Sequence, residues 1–203
     1  MVEHATMRIL IVGAKGTIGS EVVKALSANN EIIEASRSHT AVKVDIRDAA
    51  SIRAMYKTVG KVDAVVSAAG SGAWKPLAQL TDDDFQTSLG YKLMGQVNLI
   101  RYGFEHVSDG GSITVTSGIL SRDPMQGSAA ISLVNAGLEG FVRAAALEAP
   151  RRIRVNVVSP PWVNETLKAM KMEGVPGLPA AVVARAYAFA VNGAQTGQVI
   201  EPA

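Results

Sequence analysis

Short apolar runs alternate with amphipathic stretches along the whole chain. Arg8-Ile9-Leu10-Ile11-Val12 is a short apolar run after its first residue and ends in glycine, the pattern of a strand buried on both faces. From Thr17 to Ala28 the apolar residues Ile18, Val22, Val23 and Leu26 recur at helical spacing, until Asn29-Asn30 stops them. Strands are predicted over Glu31–Ser36 and Ala41–Asp45. Asp48 then caps a helix running to about Thr58 with Ile52, Met55 and Tyr56 on one side. Val62–Ala68 predicts a fourth strand. A long helical stretch follows, capped by Thr81, started by Asp82-Asp83-Asp84 and running to about His106. Ser112–Ser117 predicts a strand, and Gly127–Ala149 a helix rich in small residues that Pro150 ends. Ile153–Val158 predicts a sixth strand, two short helices (about 164–172 and 179–191) follow, and Gln198–Ile200 closes the series.

Strands and helices alternating at this spacing predict an α/β fold. It is a Rossmann-type doubly wound parallel sheet of about seven strands, with helices on both faces and right-handed crossovers. With 203 residues, no internal repeat and no linker, the chain is expected to form a single domain over 1–203.

Composition narrows the function classes. A net charge of +2, with no basic run beyond Arg151-Arg152, argues against nucleic acid or an anionic membrane surface as partner. The absence of cysteine excludes disulfides and thiolate chemistry and suits a reducing compartment. Met1–Thr6 lacks the apolar core of a signal peptide, and no apolar run is read as approaching the roughly 20 residues of a bilayer span. A cytoplasmic location is therefore expected. His4, His39 and His106 have no metal-ligand spacing, are read as solvent-exposed, and no metal is expected.

The candidate chemistry sits first on Gly13-Ala14-Lys15-Gly16-Thr17-Ile18-Gly19, between a buried strand and an amphipathic helix. Gly13 permits a sharp turn, Gly16 lets a pyrophosphate approach the backbone, and Gly19 lets the helix pack on the strand. The N–H groups of Thr17 and Ile18 face an anion at the helix start. A site for NAD places a carboxylate about 20 residues on, at the end of the second strand. Here Ser36-Arg37-Ser38 stands there, and Arg37 can fork onto a 2′-phosphate that Lys15 can also reach. NADP(H) is the expected cofactor.

Nearly the whole length resembles the short-chain dehydrogenase/reductase family. The resemblance runs through the glycine turn, Val44-Asp45-Ile46, Ser67-Ala68-Ala69-Gly70, Lys92-Leu93-Met94-Gly95, Ile113–Gly118, Gly140-Phe141 and Ile153–Pro160. It implies Asp45 and Ile46 near the adenine, Ala68, Ala69 and Gly70 along the ribose, and Pro160 to Val163 against the nicotinamide amide. It also implies a homodimer or homotetramer built on the two long central helices, and a substrate lid between Trp162 and Pro179. The chain departs from the family at its chemistry. Ile131 stands at the position of the acid Tyr, Asn135 at that of its Lys, Gly118 at that of the Ser with Ser117 one residue early, and Lys92 at that of the Asn. Pro161 replaces a glycine, and Glu165, beside Thr166, replaces a cofactor-contacting Thr. Lys92 and Ser117 are the candidate replacement groups, with Ser128 and Ser132 as further hydroxyls; the plain reading of Lys92 is a helix-surface cation. The two functions implied are an NADP(H)-dependent oxidoreductase acting on a small carbonyl or alcohol through an unusual proton donor, and a catalytically silent dinucleotide-binding protein. Trp74 and Trp162 are expected at the mouth of the cleft.

Overall fold

The computed structural model describes residues 6–172 and 174–203. Met1–Ala5, with the polar N-terminal stretch and His4, and Glu173 of the expected lid lie outside the described residues. Seven parallel strands form one sheet in the order β3-β2-β1-β4-β5-β6-β7. They are β1 (Arg8–Val12), β2 (Glu31–Ser36), β3 (Val42–Lys43), β4 (Val62–Ser67), β5 (Val107–Thr116), β6 (Arg154–Val158) and β7 (Val199–Ile200). The helices are α1 (Thr17–Leu26), α2 (Ala49–Val59), α3 (Asp82–Ser88), α4 (Gly95–Gly103), α5 (Ala129–Glu148), α6 (Asn164–Met170) and α7 (Ala180–Asn192).

Side-chain alternation along the strands divides the interior in two. Leu10 and Val12 of β1 join Ile52 and Met55 of α2, Leu99 of α4 and Leu138 and Val142 of α5 in one core. Ile9 and Ile11 point the other way, onto Val22 of α1 and Val183 and Tyr187 of α7. Both faces of the sheet are therefore dry, which is why its strands read as continuous apolar runs. The helix α5 has the length and mean hydropathy (1.3) of a bilayer span, contrary to the sequence reading that no run approaches one. Here it packs on the sheet through Val134, Leu138 and Val142, all fully buried.

The structure corrects the sequence reading in three places. The expected long helix from Thr81 is interrupted by a π-helical turn, Leu89–Met94, and stops at Gly103. Its start is as expected: Thr81 and Asp84 form a reciprocal capping box, and Asp84 also accepts from Lys75 at 2.8 Å. β5 begins five residues earlier than Ser112, because Val107 pairs with Val62 before the register shifts at a bulge over Gly110-Gly111. His106, read as exposed, stacks on the buried Tyr56 ring with centroids 5.1 Å apart.

The turn after β1 fixes where the first helix sits. Gly13 takes φ +82°, and its amide donates to Ala35 O on β2 at 2.9 Å. A Cβ at Gly19 would lie 2.0 Å from Gly13 O, so α1 rests directly on the turn. Gly19→Ala is expected to lower stability by about 3 kcal/mol in urea unfolding, since backbone cannot yield as a side chain does. Gly140→Ala, whose Cβ meets nothing, is expected to raise stability by about 0.5–1 kcal/mol.

Candidate dinucleotide and substrate cleft

The strand order reverses between β1 and β4, and a crevice opens there at the carboxyl ends of the strands. Register brings the groups that follow each strand to one edge. Val12 pairs with Ala35 and Ser67, and Thr116 pairs with Val158. Gly13, Ser36-Arg37, Ala68, Ser117 and Ser159 therefore share that edge. Two hollows occupy it and meet at Ala68, Ala69 and Gly70.

The first hollow, about 310 Å³, is bounded by Gly13, Lys15, Gly16, Ser36, Arg37, Ser38, His39, Val44, Ile46 and Tyr91. Among the described residues no carboxylate forms a salt bridge with Arg37, which is exposed beside the hollow. Lys15 behaves differently from expectation: its ammonium pairs with Glu34 of β2. Glu34 thus draws the charge of Lys15 back onto the sheet edge. Asp45, expected near the adenine, is engaged within the protein. Its carboxylate is held by Arg47, Nε to Oδ1 at 2.9 Å, which keeps it below the usual carboxylate range. Its neighbours Val44 and Ile46 form the wall instead. Ser36 Oγ lies 3.0 Å from Thr40 Oγ1 and accepts from His39 N, which shapes the turn around Arg37. Gly16 is the N-cap of α1 without any side-chain cap, so the first amides of that helix, including Thr17 and Ile18, are uncapped at the cleft.

The second hollow, about 360 Å³, is mainly apolar. Ile18, Ile131, Pro160, Pro161, Trp162, Val163, Thr166 and Met170 contribute to its wall. Trp74 and Trp162 meet edge to face there, with ring centroids 5.5 Å apart. Glu165 does not face it: both its oxygens accept from Ala180 N, capping α7. Ser128 and Ser132 bond each other at 3.0 Å at the start of α5 and stand outside both hollows.

At the deep end Lys92 and Ser117 come together. Lys92 rides on the π-helical turn, and π-turns recur at functional sites because the extra residue re-aims a side chain. Its Nζ donates to Ser117 O at 3.1 Å, and no carboxylate pairs with it among the described residues. It is a half-buried residue and not the helix-surface cation of the plain sequence reading. Burial of the ammonium lowers its pKa from 10.5 to about 8.

Two groups that hold this end were missed from the sequence. Gln96 is fully buried; its amide accepts from Thr116 N and donates to Thr116 O, both at 2.8 Å, and so fixes the end of β5. Glu139 is buried on α5, and its Oε1 accepts from Ser117 Oγ (2.8 Å), Ser121 Oγ (2.7 Å) and Ser159 Oγ (3.1 Å). Arg122 donates to Ser159 Oγ at 3.0 Å and pairs with Glu201 at 3.1 Å. The available signal was a carboxylate four residues after Asn135, flanked by the apolar or small residues Leu138 and Gly140. Asn135, 1% exposed, donates to Gly118 O at 3.2 Å and leaves its Oδ1 without a partner among the described groups.

Residues 15–196 match a family model described as enoyl-(acyl carrier protein) reductase. This chain belongs to the short-chain dehydrogenase/reductase family. The protein lin1944 from Listeria innocua is 42% identical, with TM-score 0.94 over 97% of this chain and 99% of that one. A small-chain dehydrogenase solved in complex with NADPH is 28% identical, with TM-score 0.86 over 97% and 96% of the two chains. The hydroxynaphthalene reductase arp2 of Aspergillus fumigatus is 28% identical over 160 residues, 76% of this chain and 56% of that protein. This short-chain dehydrogenase/reductase thus spans little more than half the length of that curated relative. The family binds a nicotinamide dinucleotide.

Burial of the Lys92 ammonium makes folding stability depend on pH. Its folded pKa is about 8 against 10.5 for an unperturbed Lys, so the unfolded state binds more protons between those values. Stability should therefore rise with pH across about 8 to 10.5, by up to about 3 kcal/mol relative to Lys92→Met. A stability difference independent of pH would show that the ammonium is not desolvated.

Proposed function

We propose that this protein is an NADP(H)-dependent oxidoreductase acting on a small carbonyl or the corresponding alcohol, with Lys92 as its proton donor. The observation that carries this reading is the pair of joined hollows, with Arg37 beside one end and Lys92 at the other. The glycine turn (Gly13, Gly16, Gly19, with the amides of Thr17 and Ile18) would hold the pyrophosphate, and Ala68, Ala69 and Gly70 the ribose. Pro160 and Val163 would flank the nicotinamide, while Ser36, Arg37 and Ser38 would receive the 2′-phosphate. The NADPH in the 28% identical small-chain dehydrogenase supports the choice of cofactor.

Bound NADPH would supply the hydride. Ile131 has no proton to give, so the oxygen of a reduced carbonyl must take its proton elsewhere. Lys92 is the cation in the substrate hollow, and a pKa of about 8 leaves it protonated yet a competent acid near neutrality. The apolar wall strengthens its attraction for a developing oxyanion. A homodimer or homotetramer through α4 and α5 is part of the same reading, supported by exposed Leu133 and Leu147 on α5 (50% and 89%).

Arg37→Ala is expected to weaken NADPH binding about ten- to a hundredfold and NADH binding little, read by fluorescence titration. Lys15→Ala should weaken NADPH less, because Glu34 holds that ammonium. Lys92→Ala should lower kcat for carbonyl reduction about 10²–10⁴-fold with NADPH affinity little changed. NADPH binding without oxidation across a panel of small carbonyls would instead make the protein a silent dinucleotide binder.

A further inference from the structure

Ser117 faces the substrate hollow, but its hydroxyl proton is already committed. The only partner of Ser117 Oγ among the described residues is Glu139 Oε1, at 2.8 Å, and a carboxylate can only accept. The same carboxylate is surrounded by donors, Ser121 and Ser159 by hydrogen bond and Arg122 Nη1 at 3.9 Å, so no competing acceptor releases the Ser117 proton. Charge-assisted bonds of this kind are about twice as strong as neutral ones. What Ser117 then offers the hollow is a lone pair. The nearby Asn135 Oδ1 has no partner either, and it is likewise an acceptor. Against these stands the Lys92 ammonium, a charged donor bonded to the carbonyl of the same Ser117.

We propose that the substrate is a small aromatic α-hydroxyketone, or the vicinal diol it interconverts with, whose carbonyl oxygen accepts from Lys92 and whose adjacent hydroxyl donates to Ser117. The assignment rests on the oxidoreductase reading above and gives it a substrate class. Lys92 Nζ is bonded to the main-chain oxygen of Ser117 and the acceptor is the side chain of the same residue, so donor and acceptor both stand at Ser117. A substrate with oxygens on neighbouring carbons presents one acceptor and one donor side by side, the complement of that pair. A plain ketone fills the donor but leaves the Ser117 lone pair unmet in a hollow closed by Ile131, Pro161 and Met170, and an unmet buried polar group is the strongest basis for rejecting an analogue. Trp74 and Trp162, edge to face at 5.5 Å, supply a surface against which a single aromatic ring can stack. Glu139 acts here through Ser117 and is a positioning residue.

In reduction the C–O double bond gains hydride at carbon from NADPH and a proton at oxygen from Lys92, giving diol, NADP⁺ and neutral Lys92, which solvent reprotonates. The Ser117–Glu139 pair exchanges no proton in this scheme.

Binding of 2-hydroxyacetophenone and acetophenone, measured by calorimetry with saturating NADP⁺ and again without it, tests the assignment. The NADP⁺ complex holds no hydride, so the comparison is free of turnover. The hydroxyketone is expected to bind about tenfold tighter to the unmodified protein in the NADP⁺ complex. In Ser117→Ala the two ligands should bind alike, with NADP⁺ affinity unchanged. Glu139→Met, which removes the acceptor and so frees the Ser117 proton to point into the hollow, should shrink the preference by improving the plain ketone. Equal affinities in the unmodified protein, a preference that survives Ser117→Ala, or binding of neither ligand would each overturn the proposal. Failure of NADP⁺ itself to bind would overturn the oxidoreductase reading, while a hydroxyketone preference without cofactor would leave the polarity of Ser117 standing.

Discussion

The contact between Gly19 and the carbonyl of Gly13 governs the rest of the molecule. With no room for a methyl group between them, α1 is driven onto the turn that leaves β1. The turn is in turn bonded to β2 through Gly13 N and to β4 through Ala68 N, which donates to Val12 O at 2.9 Å. One glycine-sized approach thus ties the first helix to three strands at the point where the sheet order reverses. The cleft is the space left over: uncapped amides at its centre, Arg37 on one side and the Lys92–Ser117 pair on the other.

A second set of constraints holds the far end. Gln96 replaces the missing strand neighbour of Thr116, Thr116 Oγ1 and Tyr187 OH meet at 2.6 Å, and Glu139 gathers three hydroxyls from β5, its following turn and β6. These are buried polar networks with nearly every member satisfied, which makes them rigid and costly to vary. Rigidity at Ser117 matters because it sits between a cation and a carboxylate. Its main-chain oxygen steadies Lys92 while its side-chain proton goes to Glu139, so the residue has a fixed polarity toward whatever enters. Ile131 has no proton to give, and under the proposed function the chemistry left to the hollow is a desolvated ammonium opposite fixed acceptors.

Much of this was legible in the sequence. Buried parallel strands announce themselves as Ile9–Val12 and Val155–Val158 because both faces are dry, and the glycine turn states its own geometry. The cofactor-side residues fall at strand ends, which a strand assignment locates directly. What escaped notice depends on contacts between distant segments. Glu139 looks like any of the polar residues scattered along α5 until Ser117, Ser121 and Ser159 are folded around it. Lys92 looks like a surface cation because a continuous helix would put it there, whereas the π-turn at 89–94 re-aims it. Lys15 could not be known to pair with Glu34 without the register of β1 on β2. Early β5 was hidden by Gly110-Gly111, whose bulge breaks the strand pattern.

Both tryptophans of the chain, Trp74 and Trp162, stand beside the hollow assigned to the nicotinamide. Titration with NADPH while exciting tryptophan therefore tests the central claim most directly. The account predicts strong quenching of tryptophan emission with matching sensitised emission from the reduced nicotinamide, and loss of that transfer when NADP⁺ replaces NADPH. Saturable NADPH binding without energy transfer would mean that the nicotinamide lies away from Trp74 and Trp162, and would contradict the cleft described for this protein.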